Sequence, residues 1–142
     1  KVPVFKTLTA KDSIDNPDTK LILKYLNVPR VDYTDRNRLF AKVINTDHMT
    51  PRIMRGDIVL FETIFIGKDK IDDGDVCLVC KGDEEAVIRE MVHSDNGGYF
   101  FNMFNVGMPP RFYTADDMRK NNVQIIGRAL KLIHDFKPRT DK

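Results

Sequence analysis

A mainly β domain, with short antiparallel strands curling into a barrel-like sheet and one or two short helices, is the fold class this sequence predicts. Three observations carry that reading. Short apolar runs, several of them β-branched, recur along the chain. Polar turn formers interrupt them at intervals of about ten residues, the spacing of a sheet that folds back on itself repeatedly. Asn96-Gly97-Gly98 is a strong hairpin signal, because these residues adopt positive φ at little cost.

The elements follow in order. Val2-Pro3-Val4-Phe5 is a short extended piece. Ser13, Asp15, Asn16 and Pro17 make the next segment turn-like. Asn16-Pro17 then reads as the cap and start of a short helix through Leu21, Ile22 and Tyr25, ending before Pro29. Leu39 to Ile44 is a strand, Ile58 to Phe65 follows the Gly56-Asp57 turn, and Val76 to Cys80 follows Asp73-Gly74-Asp75. Ala86 to Val92 follows the polar turn Lys81 to Glu84, and Tyr99 to Phe104 completes the hairpin. A loop with Pro109-Pro110 leads to Thr114, an N-cap with Asp117 at the third helical position, so one or two helical turns are expected. VQIIGRALKLI, Val123 to Ile133, is a long strand with apolar residues on both alternations. Ile126, Leu130 and Leu132 fall on one side, and Val123, Ile125, Ala129 and Ile133 on the other. A strand covered on one face alternates more cleanly, so the second face must meet the domain's own core or a partner.

With 142 residues, 42% of them apolar and nine of them Phe, the chain can bury the core of one domain. That excludes disorder. The net charge of +2 is spread out, apart from a mild basic ending at Lys137, Arg139 and Lys142, and no basic stripe marks a nucleic-acid surface. No apolar run approaches the roughly 18 residues that span a membrane, and the opening KVPVFKTLTAKD lacks a signal-peptide pattern. Cys77 and Cys80, as Cys-Leu-Val-Cys, have the spacing of a redox pair or half a zinc site. On a strand, however, residues three apart face opposite sides, and no second Cys or His pair completes a metal set. They are read as reduced, packed thiols of an intracellular protein.

The stretch TDHMTPRIMRGDIVLF places His48 in a tight bend just ahead of the Gly56-Asp57 turn. A catalytic group, a metal ligand with His93 and His134, and a structural or partner-contacting residue are the options. Ser13 and Ser94, the two serines, lie in polar turns. Asp47 and His48 are neighbours whose side chains diverge on a turning backbone. Asp57 and Asp75 sit beside turn glycines, where aspartate commonly accepts from nearby backbone N–H groups rather than serving as a catalytic pair.

The order of these turns is informative. Asp47-x-Met49-x-Pro51, then Gly56-Asp57 with an apolar pair, then Asp73-Gly74-Asp75, then a polar hairpin into Ile88-Arg89, then Gly127-Arg128, resembles the C-terminal domain of LexA-type and phage repressors, the S24 peptidase-like family. The opening Val2-Pro3-Val4, Leu8-Thr9-Ala10 and Tyr25 to Pro29 is similar to that family's hinge and cleavage region. The resemblance implies a LexA/signal-peptidase-type fold, with residues 1–29 as a hinge-like segment and 30–142 as a regulatory and dimerisation domain. It also implies a chemistry: a serine on the Asp-x-Met turn, a lysine base on a later strand, and an Ala-Gly bond delivered by the chain itself. Serine needs a base to become nucleophilic, and lysine is a base only when burial lowers its pKa. Here the serine position is His48, the lysine position is Ile88, and the bond is Ala10-Lys11.

The expectation is therefore a repressor-type regulatory domain that no longer cleaves itself, with no cofactor and no metal. Arg89 should turn away from Ile88 toward solvent or a carboxylate. A homodimer through Ile126, Leu130 and Leu132, a DNA-reading helix-turn-helix upstream of Lys1, a cytoplasmic location and a possible regulatory protein partner complete it. The alternatives are a self-cleaving domain using unconventional groups and, less favoured because it leaves the hinge-like segment without a purpose, a free-standing binding module.

Overall fold

The structure, a computed structural model, describes residues 1–29, 39–65, 68–95 and 97–133. The strands are β1 (Val2–Phe5), β2 (Ile22–Leu26), β3 (Leu39–Val43), β4 (Ile58–Thr63), β5 (Val76–Lys81), β6 (Val87–His93), β7 (Tyr99–Asn102), β8 (Arg111–Tyr113) and β9 (Val123–Ile133). One 3-10 turn (Thr19–Leu21) and one helix, α1 (Ala115–Lys120), accompany them. All nine strands join one mainly antiparallel sheet in the order β2-β1-β3-β4-β9-β5-β6-β7-β8. It is not closed, since β2 and β8 remain as edges, and register shifts interrupt the β1–β2, β4–β9 and β5–β9 pairings.

The mainly β class stands, and three local expectations change. The helix expected from Asn16 to Tyr25 is a single 3-10 turn, capped by the Asp18 carboxylate accepting from Lys20 N. It gives way to β2, whose residues alternate half-buried and exposed along Ile22–Leu26 while it pairs with β1. Tertiary pairing has overridden the proline-and-cap signal. The second change is a parallel pair, β1 with β3, made possible by the long connection between them. Third, the Pro109-Pro110 loop runs into β8, an edge strand of three residues paired with β7. Thr114 caps α1 as expected, its hydroxyl accepting from Asp117 N while the Asp117 carboxylate accepts from Thr114 N.

The interior divides by sheet face. Phe5, Phe40, Phe61, Leu78, Cys80 and Ile88 belong to the largest buried cluster. Cys77, Val79, Met91, Phe101 and Ile125 belong to a second. Cys77 and Cys80 are packed on opposite sides as the strand period predicts, because they enter different clusters. Both are free and buried. Burial, reinforced by the charge of Asp75, pushes the Cys77 thiol up to about 12. Burial and the charge of Asp12 push Cys80 up to about 11, so neither is a nucleophile at neutral pH.

Strand β9 lies at the centre of the sheet, between β4 and β5. Its sides are not those of simple alternation, because the register shifts opposite Leu60/Phe61 and again opposite Leu78/Val79. These irregularities skip Leu130 and Ile126 and reset which face follows. Ile126, Ala129 and Leu132 pack against the first cluster, and Val123 and Ile125 belong to the second. The domain's own core thus covers both faces over most of the strand, while Leu130 stays 40% exposed. Gly127 is required where β9 crosses the stacked rings of Phe40 and Phe61, whose centroids lie 5.3 Å apart. A Cβ there would come within 2.7 Å of the Phe40 ring.

Candidate functional site

The turn carrying His48 is held from several sides. Thr50 N and its hydroxyl both donate to Asp47 O, and Ile53 N donates to Met49 O. From the far loop, Asn105 Nδ2 donates to Asp47 O at 2.9 Å and Asn105 N to His48 O at 3.0 Å. Met49, fully buried, anchors the turn in the first cluster. The Asp47 carboxylate turns to Arg55 at 3.2 Å, so Asp47 and His48 diverge as neighbours on a bend should.

His48 instead meets strand β6. Its Nδ1 lies 3.1 Å from Arg89 Nη1, and the same nitrogen donates to Ile88 O at 2.7 Å. An arginine can only donate, so Nδ1 is the acceptor and the ring is neutral in this contact. Burial first, then the positive charge of Arg89, lowers the pKa of His48, while Asp47 opposes them. Arg89 does turn away from Ile88, but toward the imidazole and a cleft rather than a carboxylate. The reason is the bend at 47–50, which carries His48 to the face of β6 opposite Ile88. Burial and then the charge of Arg111 lower the pKa of Arg89, with Tyr113 opposing.

Ile88 points the other way and is 1% exposed within the first cluster. It shares a hollow of about 80 Å³ with Lys42, Ile44 and Leu78. Lys42 is the residue the sequence reading missed. On β3 it falls between Phe40 and Ile44, on their inward face, and is 2% exposed. Its Nζ lies 2.8 Å from Glu85 Oε2 and donates to Val43 O at 3.0 Å. A signal was available: within LFAKVI, Lys42 holds the alternation of two apolar inward residues.

The cleavage-like segment docks beside this pair. Ala86 N donates to Leu8 O at 2.7 Å, and Asn45 Nδ2 joins Glu85 Oε2 to Lys6 O. Ala10 and Lys11 are the central residues of a turn in which Asp12 N donates to Thr9 O and Thr9 N to the Asp12 carboxylate. Lys11 Nζ reaches Asp83 at 3.3 Å on the surface.

The remaining candidates are engaged elsewhere. Asp57 accepts from Met54 N, and Asp75 from Asp72 N and Arg128, so both close turns as expected. His93 Nδ1 lies 2.7 Å from Asp73, and His134 lies outside the described residues. Among the described residues, no three His, Cys, Asp or Glu side chains converge as a metal site. Nor is any described helix long and apolar enough to cross a membrane.

Comparison with known proteins agrees with the order of turns. No curated protein matches the chain. The family described as Peptidase S24-like matches residues 3–130, from the start of β1 to the far part of β9, and so takes in the cleavage-like segment, the His48 turn and strand β6. The chain belongs to the Peptidase S24-like family.

Proposed function

We propose that this is the regulatory and dimerisation domain of a LexA- or phage-repressor-like transcription factor, acting in the cytoplasm without self-cleavage. The observation that carries the reading is the pair of positions where the resemblance requires serine and lysine. One holds His48, with its Nδ1 occupied by Arg89, and the other holds Ile88, sealed in the core. A serine–lysine mechanism has neither of its groups there. The Ala10-Lys11 bond, closed within the Thr9–Asp12 turn, supports the same conclusion.

Incubation at high pH tests it, because alkali deprotonates any lysine able to act as a base. Mass spectrometry should find the chain intact, whereas a fragment cut after Ala10 would overturn the proposal. Restoring the chemistry should require Lys11→Gly, His48→Ser and Ile88→Lys together, since residues that act as a unit are strongly non-additive.

A repressor role also calls for pairing. A helix-turn-helix upstream of Lys1 would read one half-site, and joining two copies raises the effective concentration of the second reader. The interface we assign includes Ile126, Leu130 and Leu132 on β9, of which Leu130 is the largely exposed member. Light scattering at micromolar concentration should give twice the chain mass. Leu130→Asp should give monomers with an unchanged circular dichroism spectrum, and a monomeric parent chain would remove this role. Leu130 is the discriminating position, because Ile126 and Leu132 also pack in the first cluster and their substitution would disturb the fold.

A further inference from the structure

We propose that the cleft beside His48 is a binding site for a small oxyanionic ligand, one carrying carboxylate or phosphate groups, with Arg89 and Arg111 as its recognising cations. The cleft holds about 370 Å³, within the range of small-molecule sites. Lys81, Arg89 and Arg111 line it, together with Glu84 and Glu85. Glu85 is already held by Lys42 at 2.8 Å, so the cleft's charge is left on the positive side. Phe101 and Tyr113 supply aromatic wall.

Arg89 is the central observation. It is half-buried, yet it forms no ion pair among the described residues. Arg128 shows what this fold does with another half-buried arginine: Glu62 lies at 2.9 Å and Asp75 at 3.4 Å. A cation withdrawn from water without a partner is costly, and a second guanidinium nearby raises that cost. Burial and the charge of Arg111 act on Arg89 in that sense. Only Nη1 is engaged, by Ile88 O and His48 Nδ1. That contact orients the guanidinium and leaves Nε and Nη2 without a partner among the described residues. Two parallel N–H donors match the two oxygens of a carboxylate or phosphate, which is the recognition arginine performs best. Arg111 would supply the second charge.

The proposal rests on reading the cleft as regulatory rather than hydrolytic, and one experiment separates the two. The ¹⁵N-labelled protein is titrated in separate arms with inorganic phosphate and with succinate, at ionic strength fixed by sodium chloride. The amide and arginine Nε–H signals of Arg89, Arg111 and His48 should shift and saturate with at least one of the dianions. Saturation in one arm or both assigns the ligand as a phosphate, a carboxylate or either. Arg111→Gln, at an exposed position, should weaken binding about tenfold, the value of one charge-assisted contact. Arg119→Gln, which removes a surface cation paired with Asp116, should leave it unchanged. Shifts that stay linear in both arms, or equal saturation in Arg111→Gln, would overturn the site. Intact mass is read at the end of each titration. A cut after Ala10 alongside saturation would refute the regulatory reading and leave the anion site standing, while an intact chain without saturation would refute the anion site alone.

Discussion

Ile88→Lys is expected to lower folding stability by about 2–4 kcal/mol, the sum of lost apolar burial and a poorly solvated amine. Ile88 is 1% exposed and packs with Leu78, Met49 and Phe61 in the largest cluster. The replacement would enter the hollow that Lys42 already lines, so a second ammonium would face a like charge where water is scarce. Its only ready relief is to stay neutral, which becomes less favourable as pH falls. Urea unfolding at neutral pH measures the loss. An unchanged midpoint would show that position 88 can reach water, and that it is not the sealed place of a lost base.

Glu85→Ala is expected to cost about 2–3 kcal/mol, and more than Lys42→Met. The asymmetry follows from exposure. The Lys42 side chain is 3% exposed and that of Glu85 37%, so removing the carboxylate strands a buried ammonium. Removing the ammonium only returns a half-exposed carboxylate to water. A fully buried pair would lose about 3–5 kcal/mol on breaking, and the solvent around Glu85 reduces that figure. Lys42→Met keeps the length and apolar stem of the side chain, so a change under about 1 kcal/mol is expected. Glu85→Ala should also loosen the N-terminal segment, because Asn45 Nδ2 bridges Glu85 to Lys6 O. Hydrogen exchange at Ala86 N, which donates to Leu8 O, reports this directly. Equal losses from the two substitutions would show that Lys42 is no more dependent on its partner than an exposed lysine.

Much of the strand plan was legible because strands write themselves locally. Gly56-Asp57 and Asp73-Gly74-Asp75 are turns whatever lies around them, with φ of +93° and +92° at the glycines, and apolar runs after such turns need a sheet to bury them. The opposite facing of Cys77 and Cys80 needed only the period of a strand. Where pairing partners decide, local signals failed. Asn16-Pro17 suggested a helix, but the neighbouring strand β1 recruited Ile22–Leu26 into the sheet. In β9, irregularities reset the faces of Ile126 and Leu130, and these depend on the register of β4 and β5.

The site divides in the same way. The sequence by itself determined that His48 lies on a bend before the Gly56-Asp57 turn, that Ile88 and Arg89 face opposite ways, and that the order of turns is that of the S24-like family. Only the tertiary structure decided what those side chains meet. Arg89 reaches His48 across 41 positions of sequence, and Glu85 reaches Lys42 across another long interval, because the sheet brings β3, β6 and the 47–50 bend together. Periodicity states which face a side chain takes. It carries no information on which distant strand will supply the charge, the acceptor or the cleft on that face, since those contacts arise only when the chain closes on itself.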